Sequence, residues 1–212
     1  MNIKKFPEKI AVFPLSSAIF FPNTILPLNI FEKRYIQMIE DCMKNQKMFG
    51  MIQPKIKSSD KPEVYNVGCL GKIVNFQETE DKRFIISLSG IIRFRIKEEI
   101  ETNKLYREFK VDYSEFAADL DKKDEVKIKF IDSNLLNKIK TYFYKKNYLF
   151  RFDDLEELDT HQLIDSICMI CPFSVQEKQK LIETIKMEDK ITLLEEIINF
   201  SLANYSENKT IQ

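Results

Sequence analysis

Glycine and histidine are scarce in this 212-residue chain, with four of the first and one of the second, and neither sign of charge prevails: 33 Lys and Arg stand against 33 Asp and Glu. That balance argues against a protein whose main work is gripping nucleic acid or an anionic membrane, since both require a surplus of positive charge. No stretch approaches the ~20 consecutive apolar residues that cross a bilayer, so no membrane partner is expected. The start, Met1 to Lys9, leads into no apolar signal core and no small-residue cleavage site, and a cytoplasmic location is the expectation. What the chain does contain, 44% hydrophobic and 31% charged residues, suits an ordinary core rather than wholesale disorder.

The few turn formers are unevenly placed. All four glycines (Gly50, Gly68, Gly71, Gly90) and six of the seven prolines precede residue 91; after it only Pro172 interrupts the chain. Turn formers mark short elements and sharp connections, while their absence permits long helices. The first half is slightly basic and the second slightly acidic, and the run from Ala117 to Glu125 reads as a boundary. The expected organisation is α+β: a β-rich domain at 1–117, a helical bundle at 118–205 and a flexible tail at 206–212.

In the first half, Lys9–Leu15 reads as a strand stopped by Pro14, and Met48–Gln53 as another. Ile30–Lys44 is the one helical pattern there, with Phe31, Tyr35, Met38 and Cys42 on its apolar stripe and Asn29 as N-cap. Period-two alternation marks antiparallel strands around Phe84, Ile86 and Leu88, around Ile92, Phe94 and Ile96, and around Leu105, Phe109, Val111 and Tyr113. Glu78–Lys82 is a polar hairpin loop, and Ser89-Gly90 a turn or bulge. Five or six such strands make a small curled barrel or a twisted sheet.

In the second half, helical spacing predicts Asp124–Asn147, Thr160–Cys171 with Asp159 or Thr160 as cap, Val175–Lys186, and a last helix from Asp189 or Lys190 to Tyr205. Ser174 followed by Glu177 forms a capping box that opens the third of these. The last closes with Leu193, Leu194, Ile197, Ile198, Phe200, Ser201 and Leu202. These helices are expected to pack as a small bundle.

Three linked segments of the first half resemble the amino-terminal substrate-binding domain of the Lon protease family. They are Val12-Phe13-Pro14-Leu15 running through Phe20-Phe21-Pro22 and Ile25-Leu26-Pro27-Leu28 to Ile30-Phe31-Glu32-Lys33-Arg34-Tyr35; Tyr65-Asn66-Val67-Gly68-Cys69-Leu70-Gly71; and Leu88-Ser89-Gly90-Ile91-Ile92-Arg93-Phe94-Arg95, similar to the family's V-x-G-x-x-R-F-R. The resemblance implies a PUA-like twisted antiparallel β-barrel followed by helices, and a part in capturing unfolded or damaged polypeptides. No G-x-x-x-x-G-K-[ST] phosphate loop accompanies it: Gly68 to Ile73 places two residues where four are required and Ile where a hydroxyl belongs. With no room for a Ser–Lys protease segment either, the chain resembles the stand-alone Lon N-terminal-domain proteins of bacteria. A non-enzymatic module is expected, with no catalytic residue and no cofactor.

Several residue groups carry chemistry on paper. Cys168-Met-Ile-Cys171-Pro172 has the spacing of a redox or zinc pair, but it ends an apolar helical stripe and has no second pair to complete four ligands, so two reduced core thiols are expected and no metal. His161 lies in the first turn of a helix with no nucleophile marked as its partner. Asp153, Asp154, Glu156, Glu157 and Asp159 form an acidic run without the glycine of a calcium loop. Arg93, Arg95 and Lys97 form a basic strand face, the ground for the alternative of a PUA-like RNA-binding protein; the glutamates that follow and the lack of interleaved aromatics favour a solvated face. The stretch Ala18–Leu28 is rich in large apolar groups yet too broken by proline for a regular strand. One reading is a loop packed over the barrel mouth by most of its side chains; the functional reading leaves some of Phe20, Phe21, Ile25 and Leu26 partly exposed as a polypeptide-binding site, beside a sheet edge that adds main-chain hydrogen bonds.

Overall fold

The computed structural model describes residues 3–16, 18–55, 62–121, 133–148 and 158–207. Two compact units divide the chain, residues 1–122 and 123–212. The architecture is mixed α+β, with all described strands in the first unit.

Six strands build that unit: β1 Lys9–Pro14, β2 Ile25–Ile30, β3 Met48–Ile52, β4 Val67–Glu78, β5 Phe84–Ile100 and β6 Arg107–Asp112, with helix α1 Lys33–Met43 between β2 and β3. The long hairpin β4–β5 is the frame. β5 pairs with β4 over Phe84–Arg95, with β2 over Phe84–Ser89 and with β6 over Arg95–Ile100, and β6 returns to pair with β1. β1 joins β3, which joins β4, so five strands close on one another while β2 stays outside as an edge. A clean antiparallel barrel is therefore not what forms. β1 and β3 are parallel, because the chain between them detours through β2 and α1, and β5 changes neighbours halfway, with irregular register at Leu70/Gly71, Ile73/Asn75 and Ile96/Glu98.

Period-two alternation places Phe84, Ile86, Leu88, Ile92 and Phe94 inward, and all five are buried. The pattern fails outside the strand it was read from. Leu105 is exposed and Tyr106 buried, because both precede β6 and belong to the turn, where the Tyr106 hydroxyl donates to Asp41 Oδ2 at 2.8 Å. The stretch expected as a proline-broken loop ends in a true strand, β2. Asn29, expected as the helix cap, lies in it, and α1 begins only after Glu32, whose side chain makes no capping bond. Phe31 thus falls before the helix rather than on its stripe and is 64% exposed.

In the second unit α2 Ser133–Lys145, α3 Thr160–Ile170, α4 Val175–Glu183 and α5 Met187–Glu207 are described, and α5 packs against the other three. The first part of the long helix expected from Asp124 lies outside the described residues, as do the acidic positions Asp153 to Glu157 and the tail from 208; Ser206 and Glu207 belong to α5. Asp159 caps α3 by accepting from the Gln162 N–H, and both bonds of the Ser174–Glu177 capping box are present. Of the apolar residues of α5, Leu194, Ile197 and Ile198 are buried and Phe200 is 66% exposed. No described helix is long and apolar enough to cross a membrane.

Candidate polypeptide-binding surface

The four residues expected to share a binding surface are split by the strand they enter. Phe20 and Phe21 are buried, at 2% and 0% exposure, and belong to the core of the first unit. The Thr24 hydroxyl donates to the Phe21 carbonyl at 2.7 Å, and a Cβ on Gly90 would stand 2.0 Å from that same oxygen. The glycine therefore lets the Phe21–Pro22 backbone cross β5 at a distance no side chain permits. Phe20 and Phe21 anchor the ribbon and offer no surface. Leu26 is half-buried on the inward face opposite Leu88, and Ile25 alone of the four is open, at 60%.

Around Ile25 the outward positions of three strands form a grid. Ile25, Pro27 and Asn29 of β2 stand opposite Ser89, Ser87 and Ile85 of β5, which stand opposite Lys72, Asn75 and Gln77 of β4. With strands ~4.8 Å apart and ~3.3 Å of rise per residue, this patch measures roughly 10 Å by 13 Å. Ile85 is 45% exposed, and Val74, set in the irregular stretch between Ile73 and Asn75, is 57% exposed. Lys72 is the one charged side chain among the nine positions. Open aliphatic groups separated by serine and amide side chains give a surface that gains from covering apolar groups and selects for no charge.

A second concavity lies in the same unit. A groove of about 1190 Å³ opens where β1 runs on past the end of β6, walled by Val12–Ser16, the turn Glu99–Arg107, the start of α1 at Glu32, Arg34 and Tyr35, and Pro54 and Pro62. Much of its charge is internally matched: Glu32 pairs with Arg34 at 2.8 Å and Glu99 with Arg107 at 2.9 Å. Its outer turn is tied to α1 by the Leu105 N–H, which donates to Gln37 Oε1 at 2.9 Å.

The basic strand face is solvated only in part: Lys97 is exposed and pairs with Asp112 at 3.2 Å, and Arg95 is half-buried. Arg93 is buried, and its guanidinium grips Asp119 with two bonds of 3.0 and 2.8 Å while its own N–H donates to the same carboxylate at 3.0 Å. Arg95 holds Glu115 in the same forked manner, 2.6 and 2.8 Å, and keeps that carboxyl below the usual range. Both acids sit on the 3₁₀ segment Ser114–Leu120, so the motif arginines clamp the chain that follows β6 onto β5. Arg93 and Arg95 are thus both paired within the first unit. Sequence reasoning missed the clamp, although Glu115 and Asp119, four apart in a stretch following an arginine-bearing strand, were a readable signal for it. Between these arginines, Phe94 fills the space a Cβ at Gly50 or Gly68 would take.

The cysteines are all buried and free. Burial pushes the thiols of Cys42 and Cys168 up to about 12 and raises that of Cys171, so these three are not poised as thiolates for metal or redox work. Among the described residues no group of three or more His, Cys, Asp or Glu could hold a metal ion.

Residues 9–199 match the family model of the ATP-dependent protease La (LON) substrate-binding domain, and the chain belongs to that family. It is 22% identical over 205 residues to the Lon protease of Anaeromyxobacter dehalogenans, covering 94% of this chain and 24% of that one. To the Lon protease of Malacoplasma penetrans it is 30% identical over 198 residues, 86% of this chain and 24% of that one. It thus spans about a quarter of the length of these relatives. Among solved structures it resembles the Lon N-terminal domain protein from Xanthomonas campestris, with a TM-score of 0.62 at 19% identity over 88% of this chain and 96% of that one. The N-terminal domain of a Mycobacterium avium complex Lon protease follows with a TM-score of 0.59 at 12% identity over 90% and 98%.

Proposed function

We propose that this chain is a non-catalytic polypeptide-binding module that takes up exposed apolar segments of unfolded or damaged proteins, in the cytoplasm, in the service of proteolytic quality control. The observation that carries the reading is the outward face of β2, β5 and β4, with Lys72 its one charged side chain and Ile25, Ile85 and Val74 open to solvent, in a member of a substrate-binding family. Covering one such side chain yields about 1.5–3 kcal/mol and asks for no particular sequence, as a receptor for many substrates requires. Ile25 is the residue to test, because a charge at the buried Phe21 would unfold the unit rather than report on binding.

Ile25→Asp is expected to weaken binding of a reduced, carboxymethylated model protein about 10- to 100-fold, the equivalent of that burial. Because Ile25 is exposed, its urea midpoint should stay at the wild-type value. Fluorescence anisotropy with the labelled unfolded protein measures the first and circular dichroism the second. Unchanged affinity in the folded variant would remove Ile25 from the site.

A further inference from the structure

Past Ile73 one edge of β4 is bare. β3 holds that edge from Met48 to Met51, opposite Lys72 to Cys69, and the Ile73 N–H closes the contact by donating to the Lys47 carbonyl at 2.8 Å. From Val74 to Glu78, among the described residues, no strand pairs with the side of β4 that faces away from β5. An unpaired edge of this kind is a template for an added strand.

Parity fixes which main-chain groups lie open. The Gly90 N–H donates to the Thr24 carbonyl at 2.9 Å, so even-numbered positions from Phe84 to Gly90 turn to β2 and odd-numbered ones to β4. Ile85 and Ser87 therefore exchange bonds with Gln77 and Asn75, and the Thr79 N–H continues the series by donating to the Arg83 carbonyl at 2.9 Å. The N–H and C=O of Phe76 and of Glu78 are left facing outward, two donors and two acceptors in strand spacing. The open edge of β2 is less complete, since its central outward position is Pro27, which has no N–H to give.

Side chains beside the β4 edge define what suits it. Phe76 and Glu78 stand opposite Ile86 and Phe84; the Phe76 ring lies 5.0 Å from that of Phe84, and Phe76 remains 37% exposed. Glu78 is exposed and has no ion-pair partner among the described residues. Directly opposed residues on neighbouring strands meet, so an apolar group complements Phe76 and a cation complements Glu78.

We infer that the edge of β4 at Phe76–Glu78 takes up polypeptide as an added antiparallel strand, in line with β3, and favours an extended segment with a basic residue opposite Glu78 and, two positions on, an apolar one opposite Phe76. This rests on the polypeptide-binding reading above and assigns to β4 the main-chain bonds expected from sequence. The residue between the two falls opposite Gln77 and adds a fourth row to the outward face of β2, β5 and β4, so one segment makes both the main-chain bonds and the apolar contacts.

Calorimetry on the full chain tests this with an eight-residue peptide of threonine and valine carrying one lysine two positions before its central valine. Methylating the amide nitrogens of that lysine and valine, which face β4, should weaken binding about tenfold or more, while methylating the two residues flanking the valine, whose amides face away, should cost less than about threefold. Glu78→Ala, which removes only the charge, should cost about threefold, and Glu78→Pro, which also removes an outward donor, about tenfold or more. Equal affinities of the two methylated peptides would overturn the inference while leaving polypeptide binding in place, as would an unmodified peptide that fails to bind where the carboxymethylated protein still does. If neither binds, the function falls as well. Self-association of the wild-type chain that Glu78→Pro abolishes would give the edge to a second copy and overturn the inference.

Discussion

Arg93→Ala should lower the stability of the first unit by about 3–5 kcal/mol, the range for breaking one side of a buried ion pair. The size follows from what is left behind. Asp119 loses both guanidinium bonds and keeps only the Arg93 N–H, while its side chain is only 9% exposed. The Phe116 ring also loses the guanidinium that lies 4.7 Å from its centre. Arg93→Lys should recover only part of the loss, since a point charge cannot reproduce the forked pair. Arg95→Ala breaks a pair at 43% and 33% exposure and should cost well under half as much. Urea unfolding followed by the β signal measures all three, and equal costs for Arg93→Ala and Arg95→Ala would show that burial does not set the difference.

The second large effect belongs to the helical unit. Lys190 of α5 and Asp165 of α3 are both almost fully buried, and Nζ stands 2.6 Å from Oδ1. Lys190→Ala should cost about 3–5 kcal/mol because an unpaired carboxylate remains among Ile164, Ile167 and Cys168, its buried neighbours along α3. The double variant Lys190→Met with Asp165→Leu should regain most of it, since apolar groups of similar volume need no partner. Helix loss at 222 nm in urea reads both, and the difference between the double variant and the sum of the singles gives the coupling. A double variant as unstable as Lys190→Ala would show that packing, and not the orphaned charge, is at stake.

Much of this molecule was readable in advance wherever local pattern and tertiary environment agree. The capping box at Ser174 and the inward row from Phe84 to Leu88 are set by spacing alone, and the structure bears both out. Three linked motifs identified the family, which the match over residues 9–199 shows. Misreadings arose where one residue answers to a distant partner. Arg93 alternates as a wet residue, yet Asp119, 26 positions later, draws it into the interior. Pro27 argued against a strand, yet an edge strand tolerates a proline whose missing N–H would have faced outward. Phe31 fits a helical stripe by number but precedes the helix, which begins one residue past Glu32. At the binding ribbon, composition correctly flagged an unusual density of apolar groups. It had no means of telling the anchoring Phe20 and Phe21 from the open Ile25, because that division follows from Gly90 admitting the Phe21 backbone across β5.

Amide chemical-shift mapping with an unlabelled unfolded apolar polypeptide tests the central claim most directly. The largest shifts are predicted at Ile25, Asn29, Val74, Ile85, Ser87 and Ser89, the positions on and beside the outward face of β2, β5 and β4. Shifts confined to the groove between β1 and the Glu99–Arg107 turn, or to the helical unit, with that face unmoved, would contradict it.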